Sequence, residues 1–421
     1  MIKTIIQGFS PLKLPNFRMY MSGQAVSLIG TWLQITAQSW VVWELSHSEA
    51  ALGTTAMLGA LPIMLLGPWM GVIADRFNRR VLLILTQAGM MLLAFILAAL
   101  VQFKLVQIWH VYVLATLVGI FSALDFPTQQ AFLGDLSGMS EVRKAVNMNA
   151  MFLQASRMIG PALAGWVIGQ WGAATAFWIN GISFLVVISS LIVVRASQAK
   201  SHKTSNSVMA DLAEGMRFLR GQPRMQDLLT LSIFMTLMGL SVINMMAAFA
   251  DKQLGGNAST LGFLLGSSGA GALISVVFLM PLAQSKQRIG LLMSLAVVWT
   301  GLCYVVLSVT HSLPLAMLCL FFSSLSVPLV IAMSLGLIQV LTPLEMRARL
   351  LSLFVMVSFG LQPISAIIIG STSEKFGVNN IITVDGILMV LSGLGILLLR
   401  KGLREWKIRA TPAPDQVVMT H

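Results

Sequence analysis

Residues 71–80 read Gly71-Val72-Ile73-Ala74-Asp75-Arg76-Phe77-Asn78-Arg79-Arg80 and lie between two long apolar runs, Ala50–Ala74 and Val81–Val101. At about 1.5 Å per residue, each run is long enough to cross roughly 30 Å of hydrocarbon as a helix. A carboxylate and three guanidinium groups would be costly inside lipid, so the short basic loop faces water. The chain turns around here at a membrane surface, and it turns with charges of both signs.

Working outward, the rest of the chain has the same character. Apolar residues make up 57% of the 421 and charged residues 10%, where soluble domains carry about 25% charged residues. With a mean hydropathy of +0.84 and apolar runs throughout, the composition implies a polytopic all-α membrane protein. The net charge of +12 raises the question of nucleic acid, and the placement of the charges answers it. Lys and Arg recur at 3, 13 and 18, at 76, 79 and 80, at 143 and 144, from 195 to 224, at 286 and 288, at 347 and 349, and from 400 to 409. Only Lys104, Lys252 and Lys375 fall on the opposite side, and Arg157 lies within a span. This is the positive-inside pattern, so the charge orients the protein and attracts anionic headgroups. No nucleic-acid partner is expected. Cys303 and Cys319 both fall in apolar stretches, with neither disulfide nor metal spacing. The first apolar run, from about Phe17 to Glu44, has no small-residue cleavage site at signal-peptide distance and reads as a retained span.

Twelve spans can be placed, at roughly 17–44, 50–74, 81–103, 108–134, 141–169, 173–194, 226–250, 259–283, 289–309, 313–341, 345–370 and 380–399. An even number puts both termini on one side, the cytoplasmic side by the charge distribution. The polar stretch from Arg195 to Arg224 divides the spans into two sets of six. Within it, residues 208–219 (VMADLAEGMRFL) have the spacing of a short amphipathic helix at the inner surface. The implied organisation is a six-helix bundle over 1–195, a linker over 196–224, a second bundle over 225–402 and a tail over 403–421. The halves resemble each other: 133–143 matches 337–347, and Asn180-Gly181 matches Asp385-Gly386. A parallel repeat of six spans about an axis along the membrane normal is one of the transporter architectures.

The motif G-x-x-x-D-R-x-x-R-R after the second span, the repeat and the central linker together resemble the major facilitator superfamily over essentially the whole chain. Asn16-Phe17-Arg18, residues 27–34 (SLIGTWLQ), 125–132 (DFPTQQAF) and 157–165 (RMIGPALAG) resemble a bacterial branch of enterobactin-type siderophore exporters and macrolide-efflux proteins. The resemblance implies an alternating-access carrier rather than an enzyme. It implies a proton gradient as the energy source, no cofactor and no metal. Protons, membrane lipids and a small-molecule substrate are the expected partners, the protein is expected as a monomer, and the location is the inner membrane. The expected activity is export of a siderophore or drug-like amphipathic compound. Uptake of a metabolite or iron chelate, and translocation of a lipid or lysolipid, stand as alternatives.

Four groups of residues carry the mechanism in this reading. Gly71, Asp75, Arg76, Arg79 and Arg80 would form an inner gate, with Asp135 a partner for Arg76 or Arg80. The resemblance implies that Asp75 faces the inner end of span 11, where Thr342-Pro343-Leu344-Glu345 reads as a capping box. The plainer alternative is that the loop is a topology signal only. Gln24, Ser27, Thr31, Gln34 and Gln38 follow helical spacing and share one face of the first span. Lipid does not solvate amides, so this face meets other helices or a watery cavity. The resemblance places the first span against the central cavity, and Asn147, Gln154, Asn244 and Gln362 are further candidates for its lining. Trp43 on the same span reads as an interfacial anchor. Asp125, Arg157 and Asp385 are titratable residues inside spans and so candidates for coupling. An Asp125–Arg157 ion pair, released by protonation, is one arrangement, and a static structural pair is the other. Gly160, Pro161 and Gly165 resemble a shortened antiporter motif of drug–proton exchangers, against a plain helix kink as the alternative. The chain departs from the family at Ala115, where an arginine would precede Gly119, and at Gln129, where the branch would carry arginine. Met235, Met238, Met245 and Met246 form a cluster that could accommodate varied ligands.

Overall fold

Backbone groups in hydrocarbon must be satisfied within the segment, and this chain does so with helices. The computed structural model describes residues 10–194, 214, 216–284, 289–342 and 360–399, with scattered positions between 346 and 358. Among the described residues the structure is helical, with no strand. The helices are α1 (Pro15–Ser46), α2 (Glu49–Arg76), α3 (Arg79–Gln102), α4 (Ile108–Gly138), α5 (139–171) and α6 (Ala173–Val193). In the second half of the chain they are α7 (223–252, in pieces), α8 (258–284, in pieces), α9 (Ile289–Val309), α10 (Leu313–Leu341), α11 (Gln362–Phe376) and α12 (Val378–Leu399). Nine helices among the described residues are long and apolar enough to cross a membrane. The expected amphipathic helix at 208–219 lies outside the described residues apart from Glu214 and 216–219, which are helical.

Local chemistry sets the ends. The Ser48 side chain accepts from Ala51 N at the start of α2, with Glu49 in its first turn. Asn78 caps α3 and Asn257 caps α8 in the same way. Within the spans, hydroxyls return their protons to their own helix: Thr31 to Ser27 O at 2.9 Å and Thr36 to Trp32 O at 2.9 Å. That lets Ser and Thr sit in lipid at little cost. The expected loop at 135–140 shrinks to one residue. Helix continues to Gly138, whose φ of 70° breaks it, and resumes at once. A positive φ costs little only for glycine, which is why the turn can be so short.

Small residues bring the helices together. A Cβ on Gly30 would meet Ser183 and Asn180 of α6, and one on Gly23 would meet Ser190. Gly181 of α6 receives the Phe95 ring of α3, while Gly386 of α12 lies against Gly301 of α9. Gly119 of α4 lies against Gly59 of α2, as Gly271 of α8 lies against Phe321 of α10. The contacts α3–α6 and α2–α4 therefore recur, six helices later, as α9–α12 and α8–α10. Outward faces carry Leu85, Leu92, Leu185 and Ile192, all exposed.

Two helices of the second half are irregular. In α7 a π-turn at Met235–Leu240 is followed by Met245 at φ −93°, ψ 0°. In α8 a π-turn spans Ser275–Leu279. The methionine cluster belongs to this packing. Met235, Met245 and Met246 are fully buried and Met238 packs against the same core. It fills gaps around a distorted helix, as a flexible side chain can, and lines neither of the two cavities described below.

Candidate functional site

The end of the bundle that carries the 46–49 and 252–258 turns is assigned to the outside by the charge distribution and is called the outer end; the 76–79 turn marks the inner end. At the inner end the guanidinium of Arg79, 8% exposed, bridges two carboxylates. Its Nη1 lies 2.8 Å from Asp135 Oδ1 and 3.0 Å from Asp135 Oδ2, and its Nη2 lies 3.0 Å from Asp75 Oδ1. The partner expected for Arg76 or Arg80 thus goes to Arg79. The turn explains the change: Phe77 and Asn78 are extended between α2 and α3, and Arg79 opens α3 as a buried side chain, whereas Arg76 is exposed. Arg80 instead donates to the carbonyls of Leu191 and Ile192 at the inner end of α6, where a helix leaves carbonyls unpaired. Asp75 remains half exposed. The inner end of span 11, its expected counterpart, lies outside the described residues at 343–345 and 347–349.

A cavity of about 350 Å³ lies deeper, toward the outer half. Thr31, Gln34 and Gln38 of α1 line it with Asn244 of α7 and Gln362 of α11, so five of the candidate cavity residues come together. Gln24 and Ser27 are buried but off the cavity, on the inner half of α1, where that helix packs on α6. The polar stripe therefore does two jobs, helix packing on the inner half and cavity lining on the outer half. Asn147 is exposed and Gln154 half-buried, and neither reaches the cavity. Sequence reading did not single out Asn180 as a lining residue. Its Nδ2 donates to Gln34 Oε1 at 2.7 Å and its Oδ1 accepts from Ser183 Oγ at 3.1 Å. A carboxamide at the centre of a span was the available signal. Asn244 and Gln362 both sit where helices break, before the kink at Met245 and at the first residue of α11 ahead of Pro363. A larger groove of about 580 Å³ between α8, α9 and α10 is lined almost wholly by aliphatic side chains and Trp299, half exposed toward the lipid face, and offers little for recognition.

The buried charges are arranged differently from expectation. Asp125 accepts from Thr86 Oγ1 at 2.6 Å and from Gln87 Nε2 at 3.0 Å, both on α3. Arg157 places its Cζ 5.4 Å from the centre of the Trp32 ring. No Asp125–Arg157 pair forms. Neutral donors satisfy the carboxylate and an aromatic face satisfies the cation, so neither needs the other. Asp385 is buried on α12 with Oδ2 lacking a partner. Tyr304 lies within electrostatic reach of both Asp385 and Arg157, and its hydroxyl donates to Gly239 O in the π-turn of α7 at 2.5 Å.

Two glycine seams join the halves of the chain. Gly262 of α8 lies against Pro161 O and Gly165 Cα of α5, and Ser259 Oγ donates to Gly165 O at 2.9 Å. Gly160 lies instead against Trp32 of α1. The Gly160-Pro161-Gly165 run is thus a close-approach surface as well as a proline site. The second seam sets Gly53 of α2 against Ala366 O and Gly370 of α11. Above the seams, polar contacts close the outer end. Lys252 Nζ lies 2.7 Å from Glu49 Oε1, and Trp43 Nε1 donates to Asp251 Oδ2 at 2.9 Å beneath the same ammonium. Glu374 accepts from Ser48 Oγ at 2.5 Å and Ala50 N at 2.9 Å, and these donors hold its carboxyl below its ordinary range. Trp43 is 1% exposed, so it is a component of this closure and not a lipid anchor. Exposed Trp109 and Trp171, at the outer ends of α4 and α5, fit the anchoring role. A Cβ on Gly71, near the inner end of α2, would meet nothing within 4 Å. The same helix is pinned at its outer end, and among the described residues nothing packs on Gly71.

The fold has counterparts among known proteins. A 25% identical relative is the staphyloferrin A transporter of Staphylococcus aureus, matched over 62% of this chain and 66% of its own length. An uncharacterized MFS-type transporter of Bacillus subtilis, YfiS, is 28% identical over 61% of each chain. The matched stretch thus spans less than two thirds of the length of these two relatives. The enterobactin exporter EntS of Citrobacter koseri is 22% identical over 95% of both chains. Among solved structures, a mutant of the nucleoside transporter NupG superposes with a TM-score of 0.72 over 92% of this chain and 99% of that one, at 12% identity. The family model for transmembrane secretion effectors of the major facilitator superfamily matches residues 6–418, and the chain is a multi-pass membrane transporter protein of that family.

Proposed function

We propose that this protein is a proton-coupled exporter working by alternating access, with a siderophore or drug-like amphipathic compound as substrate. Twelve spans form two six-helix bundles, 1–195 and 225–402, joined by the linker 196–224, with both termini and the 403–421 tail in the cytoplasm of a bacterial inner membrane. The observation that carries the reading is a polar cavity lined from both halves, with polar contacts between the halves at its outer end. A carrier needs such a site and two alternative closures. The relatives that handle siderophores support export of this class. Asp75, Arg79 and Asp135 would close the inner end when the bundles rock. Asp125 and Asp385 are the carboxylates to carry protons. Protonating Asp125 would weaken its bonds to Thr86 and Gln87 and so loosen α3 from α4.

Everted membrane vesicles with an imposed pH gradient test the reading. Candidate compounds should accumulate inside only when the gradient is present, and Asp75→Asn should abolish accumulation while the protein stays folded and inserted. Full activity of Asp75→Asn removes the gate, and gradient-dependent loss from preloaded everted vesicles indicates import.

A further inference from the structure

We propose that the central cavity takes an uncharged molecule rich in amide, carbonyl and hydroxyl groups and discriminates against polycarboxylates; the proposal rests on the reading above in taking this cavity as the substrate site. Five carboxamides face it, Gln34, Gln38, Asn180, Asn244 and Gln362, drawn from α1, α6, α7 and α11. Its described lining includes no Lys, Arg, His, Asp or Glu. The neighbouring charges are engaged elsewhere. Asp125 is held by Thr86 and Gln87, Arg157 stacks on Trp32, and Lys252 pairs with Glu49 in the seal above.

Each carboxamide offers two donors and an acceptor and can meet either kind of group on a ligand. Asn180 occupies Gln34 Oε1 and leaves the Gln34 amide protons as donors, so one amide is already oriented. Asn244 and Gln362 stand at helix breaks on the opposite side, where the backbone lets the side chains project. A ligand held between Gln34 and Gln362 bridges both halves and is recognised by hydrogen bonds alone. A carboxylate entering the same space loses its hydration and finds no countercharge, which is the costly case for a buried ion. A site built of paired hydrogen-bonding groups discriminates strongly, because groups left unmatched on either side are penalised.

The test uses the purified full-length protein in lipid nanodiscs and two matched pairs of probes: chloramphenicol and its hemisuccinate, and hydrocortisone and its hemisuccinate. Each pair differs by one carboxylate. Titration calorimetry should give at least tenfold tighter binding of the uncharged member in at least one pair. Gln362→Lys, which supplies a cation to the cavity, should shrink that ratio or invert it. Gln34→Leu should weaken the uncharged probe about tenfold. Equal affinity within both pairs, preference for the hemisuccinates, or binding of no probe overturns the proposal; the wild-type comparison decides even where a variant fails to fold. Failure of the export reading looks different. Charge discrimination without gradient-driven accumulation removes export and keeps this site, whereas accumulation with preference for the anion does the reverse.

Discussion

Arg79 is the residue on which the inner end of the first half depends. A guanidinium fork suits two carboxylates at once, and here it meets Asp135 with both oxygens and Asp75 with one. Removing one partner of a buried pair leaves an uncompensated charge, a loss of about 3–5 kcal/mol. Arg79→Ala should therefore lower the thermal unfolding temperature in detergent well below that of Arg76→Ala, because Arg76 is exposed. Similar unfolding temperatures for the two variants would reassign the anchor. Asp135 sits deep enough (3% side-chain exposure) that Asp135→Asn should behave like Arg79→Ala. The three basic residues of the motif, alike in the sequence, have three separate occupations: a buried bridge, a helix-end cap and an exposed charge.

At the scale of elements, α2 would act as the lever of the proposed motion. Its outer third is pinned at Gly53 against α11 and at Ser48–Glu374, while no described residue lies within 4 Å of a Cβ on Gly71. Gly53→Val would thrust two methyl groups toward Ala366 O, 2.3 Å from where even a Cβ would sit, so the outer ends should separate. A cysteine at Ser39 on the cavity wall should then react faster with a membrane-impermeant thiol reagent from outside. If the proposed inner closure brings another helix onto Gly71, Gly71→Leu should slow transport more than it lowers the unfolding temperature. The seal also responds to pH. Glu374 titrates below its ordinary value of 4.5 because Ser48 and Ala50 stabilise the carboxylate. A depressed carboxylate contributes stability above that ordinary value and loses it as pH falls through the lowered one. Outside labelling at the Ser39 position, taken as a ratio to a fully exposed reference cysteine because both thiolates decline alike, should accordingly rise as the pH drops below about 4.5, and in Glu374→Gln that ratio should be high at every pH.

For the whole molecule, the cross-half contacts described above lie in the outer half, and the proposed rocking motion would move the inner ends. If Asp125 and Asp385 carry the coupling protons, Asp125→Asn and Asp385→Asn should each flatten the dependence of accumulation on the pH gradient in everted vesicles while retaining binding of an uncharged probe. Unchanged gradient dependence in both variants would move coupling elsewhere. Arg157 was legible as an unusual charge within a span, but its partner was not. The sequence suggested a carboxylate on the neighbouring helix, and the fold supplies Trp32. Depth explains the miss, since Asp125 and Arg157 lie at different heights and each finds a nearer neighbour.

Sequence by itself determined the membrane class, the family and most of the described helices to within a few residues, because lipid demands long apolar runs and the basic loops mark one surface; span 11, expected to end at 370, runs instead to Phe376. It also showed that the first span carries a polar face. It did not say which part of that face meets a helix and which meets a cavity, since both uses need the same residues at the same spacing. Trp43 shows the same limit: an aromatic near a helix end reads as an anchor until Asp251 and Lys252, some two hundred residues away, close over it. Pairings between distant helices depend on depth and rotation in three dimensions, which a one-dimensional period does not encode, and there the tertiary structure decided.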